Sequence, residues 1–210
     1  MQTRAIIVAV DVGKHMYSKT PKVLHEVCGL PMITRVINSV KASGIEEIHV
    51  VLGPEHEQVR EVLPADVKVA VQTEALGTAR AVSQTASEIG EAEGETLVVN
   101  GDTPLISSET LKDLLAEHER TGLKATVLTA YADNPKNYGR VIRKENGTVK
   151  AILEQDEVTH EQEEIKEVSG GAVVYNNREL FKALDNIKDD TSEETHYLSD
   201  SIGLLSSKGA

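Results

Sequence analysis

The chain has 210 residues, with 22 Lys plus Arg against 34 Asp plus Glu and a formal net charge of −12. Acidity on this scale argues against broad binding to nucleic acid or to an anionic membrane, since both need basic surface. The length predicts one domain, and the single cysteine, Cys28, excludes an intrachain disulfide and a thiolate zinc cluster and points to a reducing cytoplasm.

Aromatic residues are 3% of the chain, with no Trp and one Phe (Phe181), so the core is expected from Val, Ile, Leu and Ala, as in a buried parallel sheet. The apolar run 5–10 lies between Arg4 and Asp11. It is too short to span a membrane, lacks a signal-peptide layout and reads as a first strand. Apolar residues at 32, 33, 36, 37 and 40 predict a helix ended by Gly44. Strands are predicted at 48–52, 67–71, 97–100 and 125–130, and helices at 55–62 and 78–89. A further helix, capped by Ser107 or Ser108, runs to about residue 120. This alternation predicts right-handed crossovers and a doubly wound, mostly parallel, Rossmann-like α/β sheet. Beyond it, Asn146-Gly147 flanked by 141–143 and 149–153 predicts a hairpin. A strand at 172–175 and helices at 179–184 and 197–205 complete a small mixed-sheet extension. The acidic stretch 161–167 reads as a solvated helix face or loop.

Three stretches carry candidate chemistry. The long first connection, residues 11–22, sets lysines beside backbone amides, which can hold a phosphate; a solvated basic loop explains it as well. Asp102 follows a buried strand directly and suits Mg²⁺, while Asp102 capping a turn through Pro104 is the plainer reading. Gln72, with donor and acceptors both, precedes Gly77 and Thr78 at a helix start. That suits a pyrimidine edge, but is also an ordinary strand-to-helix turn.

Taken in order, residues 18–29, Leu76-Gly77-Thr78, Gly101-Asp102-Thr103-Pro104-Leu105, Tyr138-Gly139-Arg140 and Ile152-Leu153-Glu154 resemble the uridyltransferase domain of the bacterial bifunctional N-acetylglucosamine-1-phosphate uridyltransferases. The resemblance runs over essentially the whole chain. It implies the nucleotide-diphospho-sugar transferase type of fold, with 1–130 as the nucleotide-binding half and 131–210 as the sugar-binding half of one domain. The implied reaction is attack of N-acetylglucosamine 1-phosphate on UTP, giving UDP-N-acetylglucosamine for peptidoglycan and releasing pyrophosphate. The protein's part is positioning and charge neutralisation. Position by position, Lys22 matches the lysine on the phosphates, Asp102 the Mg²⁺ ligand, and Ala9, Gly13, Gln72, Gly77 and Thr78 the nucleotide contacts. Gly139 and Glu154 match sugar contacts, and Ser169 stands where the family often has Asn.

The chain departs from the pattern in the first loop. Where the family reads Leu-Ala-Ala-Gly-x-Gly-Thr-Arg-Met, this chain reads Val8-Ala9-Val10-Asp11-Val12-Gly13-Lys14-His15-Met16. Asp11 replaces a glycine and is expected to face the triphosphate. His15 replaces the catalytic arginine; losing such a clamp costs about 3–4 kcal/mol in the transition state. Ala75 replaces a Gln, Arg80 a His, and the lysine that follows the Glu154 position is lost. The chain ends before the family's second metal-binding Asn, its linking helix and its trimerising left-handed β-helix acetyltransferase domain, so a monomer is expected. Three readings stand: a Mg²⁺-dependent uridyltransferase, a non-catalytic relative that binds a nucleotide, a sugar phosphate or a protein partner, or an enzyme of the same kind with another nucleotide or sugar.

Overall fold

The computed structural model describes residues 2–11, 13, 16–53, 56–74, 76–189 and 196–207. The elements in chain order are β1 (Thr3–Ala9), β2 (Glu26–Val27), β3 (Leu30–Pro31), α1 (Met32–Ala42), β4 (Glu47–Leu52), α2 (His56–Arg60), β5 (Lys68–Val71), α3 (Thr78–Ser83), α4 (Ala86–Ile89), β6 (Glu95–Asn100), α5 (Ser108–Thr121), β7 (Ala125–Tyr131), β8 (Arg140–Arg143), β9 (Val149–Leu153), β10 (Glu167–Asn176), α6 (Asn177–Asp189) and α7 (Asp200–Ser207).

One sheet runs β5-β4-β1-β6-β10-β8-β9, with β7 also on β10. Strands β5, β4, β1 and β6 are parallel neighbours. Strand β10 runs against β6, β7 and β8, and β9 against β8. The parallel part is the predicted Rossmann-like half. Strand β7 points the same way as β6 but does not pair with it, because β10 lies between them.

Strand β1 explains the two-layer core. Ala5, Ile7 and Ala9 face one side, with Ile33, Val36, Ile37 and Val40 of α1 and Leu111 and Leu114 of α5. Ile6 and Val8 face the other, with Val82 of α3, Leu180, Phe181 and Leu184 of α6, and Ile202 and Leu205 of α7. Each buried aliphatic side chain of this kind contributes about 1.5–3 kcal/mol, so covering both faces accounts for the continuous apolar strand sequences.

Local chemistry moves several predicted boundaries. The helix expected at 78–89 is two helices, because the Thr85 hydroxyl donates back to the Val82 carbonyl at 2.8 Å and closes the first locally. Ser107, not Ser108, caps α5, accepting the Thr110 N–H at 3.0 Å. The predicted hairpin forms: the Asn146 side chain accepts from the Thr148 N–H and hydroxyl, and the Lys144 N–H donates to the Thr148 carbonyl. The last helix starts at Asp200, whose carboxylate takes the Tyr197 N–H at 3.0 Å. Within the acidic stretch 161–167, Gln162–Glu164 form a short 3₁₀ turn. Glu167 is not solvated; it is buried in β10 and pairs with Arg143 through both oxygens, at 2.5 and 2.7 Å.

The largest difference concerns β10, predicted at 172–175 but starting at Glu167. Its register against β7 shifts between Ser169 and Val173, around Gly170 and Gly171. Gly171 has φ +76°, a conformation costly for other residues. Below this bulge β10 pairs with β8, and above it with β6. No described helix is long and apolar enough to cross a membrane.

Candidate active site

The carboxyl end of β6 meets the β10 bulge at a cleft of about 800 Å³. Open α/β sheets place ligands at this edge. Lys22, Asn100, Asp102, Thr103, Gly139, Glu154, Ser169 and the two bulge glycines line it. A smaller cavity of about 230 Å³ shares Asn100, Glu154, Ser169 and Gly171 and adds Thr78, Tyr197 and Ser199.

One wall carries the charge. Lys22 opens a 3₁₀ turn, Lys22–Leu24, anchored in the core by the buried Val23. Asp102 follows β6 in a turn built by its neighbours: the Gly101 N–H donates to the Val8 carbonyl at 2.8 Å, and the Thr103 hydroxyl to the Asn100 carbonyl at 2.6 Å. Thr103 therefore closes the turn, and Asp102 is left to pair with Lys22, Oδ2 to Nζ at 2.6 Å. Asp11 reaches the same ammonium at 3.1 Å through Oδ2, while its Oδ1 accepts the Gly13 N–H at 2.8 Å. Burial opposes the charge on Lys22, but the hydrogen bonds and charges of Asp102 and Asp11 outweigh it and raise its pKa above the ordinary lysine value. Among the described residues, Lys22 is the one cationic side chain lining the cleft.

The opposite wall carries neutral donors and one carboxylate. The Ser169 N–H donates to the Gly139 carbonyl at 2.9 Å, joining β10 to the approach to β8. Gly139 packs so closely that a Cβ there would sit 3.0 Å from Ile152 and 3.8 Å from the Glu154 carboxylate. Glu154 accepts from the Ser199 hydroxyl at 2.7 Å. Burial raises its pKa; Ser199 opposes this, and Glu157 and Asp156 add to it.

The predicted nucleotide residues divide. Ala9 is buried at the end of β1, and Gly13 is held by Asp11. Gln72 is buried, and its side-chain amide donates to the Gly77 carbonyl at 3.2 Å, so these two fasten one turn and do not line the cleft. The Thr78 hydroxyl oxygen accepts the Leu198 N–H at 2.9 Å. His15, Lys14, Val12 and Ala75 lie outside the described residues. Sequence reasoning missed Asn100 and Asn137 of the cleft and Ser199 beside it. Asn100 was findable as a polar residue ending an apolar strand. Ser199 was not, since a segment 45 residues away in sequence brings it to Glu154.

Residues 196–199 strap the Leu76–Ala79 turn to Glu154. The Ala79 N–H donates to the His196 carbonyl at 3.1 Å and the His196 N–H to the Leu76 carbonyl at 3.2 Å. Gly77, at φ +90°, lets this strap lie against it; a Cβ there would stand 2.8 Å from the His196 nitrogen and closer still to its carbonyl oxygen.

For a divalent cation, the donor chemistry fits. No group of three or more His, Cys, Asp or Glu suited to a metal occurs among the described residues. Mg²⁺, however, commonly takes one or two carboxylates and completes its shell with water and phosphate oxygens, and Asp102 and Asp11 are carboxylates converging on one point.

The fold resembles that of sugar-nucleotide enzymes. A putative glucose-1-phosphate thymidylyltransferase from Bacillus anthracis, in complex with a sucrose, superposes with TM-score 0.81 at 22% identity, over 99% of this chain and 84% of that one. A UDP-glucose pyrophosphorylase complexed with UDP-glucose gives TM-score 0.81 at 13% identity, over 99% and 88%. In sequence, the chain is 43% identical over 205 residues to the bifunctional protein GlmU of Bacillus mycoides (strain KBAB4) and 44% over 206 to that of Geobacillus sp. (strain WCH70). Each match covers 98% of this chain and 45% of the relative, so the chain spans about half the length of these proteins. Residues 5–200 match the MobA-like NTP transferase domain family, to which this chain belongs.

Proposed function

We propose that the chain is a sugar-phosphate uridyltransferase, converting UTP and N-acetylglucosamine 1-phosphate to UDP-N-acetylglucosamine and pyrophosphate in the cytoplasm. The observation that carries this reading is the facing of two unlike walls across one cleft: the Lys22–Asp102 pair on one side, and Gly139, Glu154 and Ser169 on the other. The first suits phosphates and the second a sugar bearing hydroxyl and amide groups. The extent of identity to GlmU proteins makes the amino sugar and uridine the favoured pair.

In this reaction a phosphate oxygen of the sugar phosphate forms a bond to the α-phosphorus. The bond from that phosphorus to the bridging oxygen breaks, and pyrophosphate leaves with the electron pair. Lys22 neutralises charge on the phosphates. Glu154, oriented by Ser199, and the backbone around Gly139 and Ser169 hold the sugar so that its phosphate points at Lys22. Asp102, with Asp11 in reach, would hold a Mg²⁺ ion, which supplies further charge neutralisation when bound. The 1–130 half thereby handles the nucleotide and the 131–210 half the sugar.

A second reading, a non-catalytic relative that still binds nucleotide or sugar phosphate, is favoured by one observation: Lys22 is held by two carboxylates in a loop where His15 stands for the family arginine. Pyrophosphate release from UTP, Mg²⁺ and N-acetylglucosamine 1-phosphate decides between them. Release above a protein-free blank supports the enzyme. No release from a folded protein that still binds UTP in calorimetry supports the relative.

A further inference from the structure

Asp11 engages two donors at once, the Gly13 N–H through Oδ1 at 2.8 Å and the Lys22 ammonium through Oδ2 at 3.1 Å. A loop N–H beside an ammonium is the pairing that receives a phosphate oxygen. The carboxylate therefore sits where a nucleotide phosphate would sit, making the contacts that phosphate would make. We propose that Asp11 is a built-in competitor for the nucleotide's phosphates and sets which charge state of the nucleotide the cleft accepts. This inference rests on the nucleotide-binding reading of the cleft.

Two features make the competition real and reversible. The Asp11 side chain is 59% exposed and that of Lys22 29%, so their pair is solvent-screened and opens at little cost. Asp102 also holds Lys22, at 2.6 Å, so among the described residues two carboxylates share one ammonium. A bare triphosphate meets these two carboxylates and must displace Asp11 from Lys22 without bringing a cation of its own. A triphosphate accompanied by a divalent cation brings its own neutralisation, and the displaced carboxylate gains a cation to face. Asp11 thus selects cation-complexed over free triphosphate through Lys22.

The test is calorimetric titration with inorganic tripolyphosphate, then with UTP, each in EDTA and in excess Mg²⁺. Asp11→Asn keeps an oxygen for the Gly13 N–H and removes the charge. It is expected to bind tripolyphosphate about tenfold more tightly than the parent chain in EDTA, with the gap closing to about twofold in Mg²⁺ and shrinking in high salt. Equal or weaker binding by Asp11→Asn in EDTA overturns the proposal, as does a tenfold gain that persists in a Lys22→Gln background. Should Asp11→Asn melt well below the parent, Asp11→Ser makes the same comparison, since its hydroxyl can also accept the loop N–H. The UTP arm separates the two readings. If both proteins bind UTP no better than tripolyphosphate, uridine recognition falls, while the Asp11 result stands on the tripolyphosphate data alone.

Discussion

The Asp102 carboxylate and the Lys22 ammonium meet at 2.6 Å across the gap between the end of β6 and the turn that follows the first loop. Neither residue is placed by its own element's periodicity. Val23 anchors one and the Gly101–Val8 hydrogen bond the other, so the pair is a product of the core beneath it.

Lys22→Met should remove the phosphate contact and the ammonium that Asp11 and Asp102 share. Turnover is expected to fall by roughly 10²–10³-fold, the usual cost of a lost charge donor. UTP affinity should fall with it, and equilibrium titration beside initial-rate measurement checks both. A variant retaining full activity would remove Lys22 from the mechanism.

Glu154→Gln should stabilise the fold at neutral pH while weakening sugar-phosphate binding. Burial raises the Glu154 pKa, so the folded chain holds a proton that the unfolded chain releases at the ordinary carboxylate value. Its contribution is whole below that value and is lost as pH rises through the raised one. Melting curves should show no difference between the two proteins near pH 4 and a gain of roughly 1–3 °C for the variant near pH 8. A difference that does not change with pH would rule this out.

Glu47→Gln should act at the opposite, amino edge of the sheet. Burial works against the Glu47 charge, but Lys68 at 2.9 Å, His49 at 3.3 Å and Arg4 at 3.4 Å hold its carboxyl at about 2. This stability is present above the unfolded carboxylate value and is lost as pH falls towards 2. The variant should lose about 1–2 kcal/mol at pH 7 in a urea titration, with nucleotide affinity unchanged.

Gly77→Ala should unseat the strap. The added methyl group meets the His196 backbone, and the positive φ adds strain, so a loss of about 2 kcal/mol or more is expected. Hydrogen exchange of the His196 and Leu198 amides should quicken first, because the Leu76 carbonyl and the Thr78 hydroxyl hold them.

What the sequence made legible follows from how local each signal is. Strands β1 and β6 were readable because both faces are covered and the apolar run is unbroken, and β4 because its run is broken only by the buried His49. The first half of β10 was not, since Glu167, Ser169, Gly170 and Gly171 interrupt that run and their pairing is decided by partners far away in sequence. The two-residue strands β2 and β3 escaped for want of length. Lys22, Asp102, Gly139, Glu154 and Ser169 were placed by the resemblance, and they share one cleft. Gln72 and Gly77 read as ligand contacts in sequence, whereas the structure also has them fasten each other. The Asp11–Lys22 contact depends on the path of a loop, which residue spacing does not report.

The position of β10 has a consequence for the order in which this molecule can be assembled. Val99 of β6 finds its partner Ala172 roughly seventy positions later in the chain. During synthesis, therefore, the four parallel strands are complete long before their last neighbour leaves the ribosome. Until then β6 presents an open edge and β7 has no partner, which makes the nascent chain vulnerable to pairing with another copy. The cleft is finished only when that late strand threads between them, so the ligand site and the seal against aggregation form in one event.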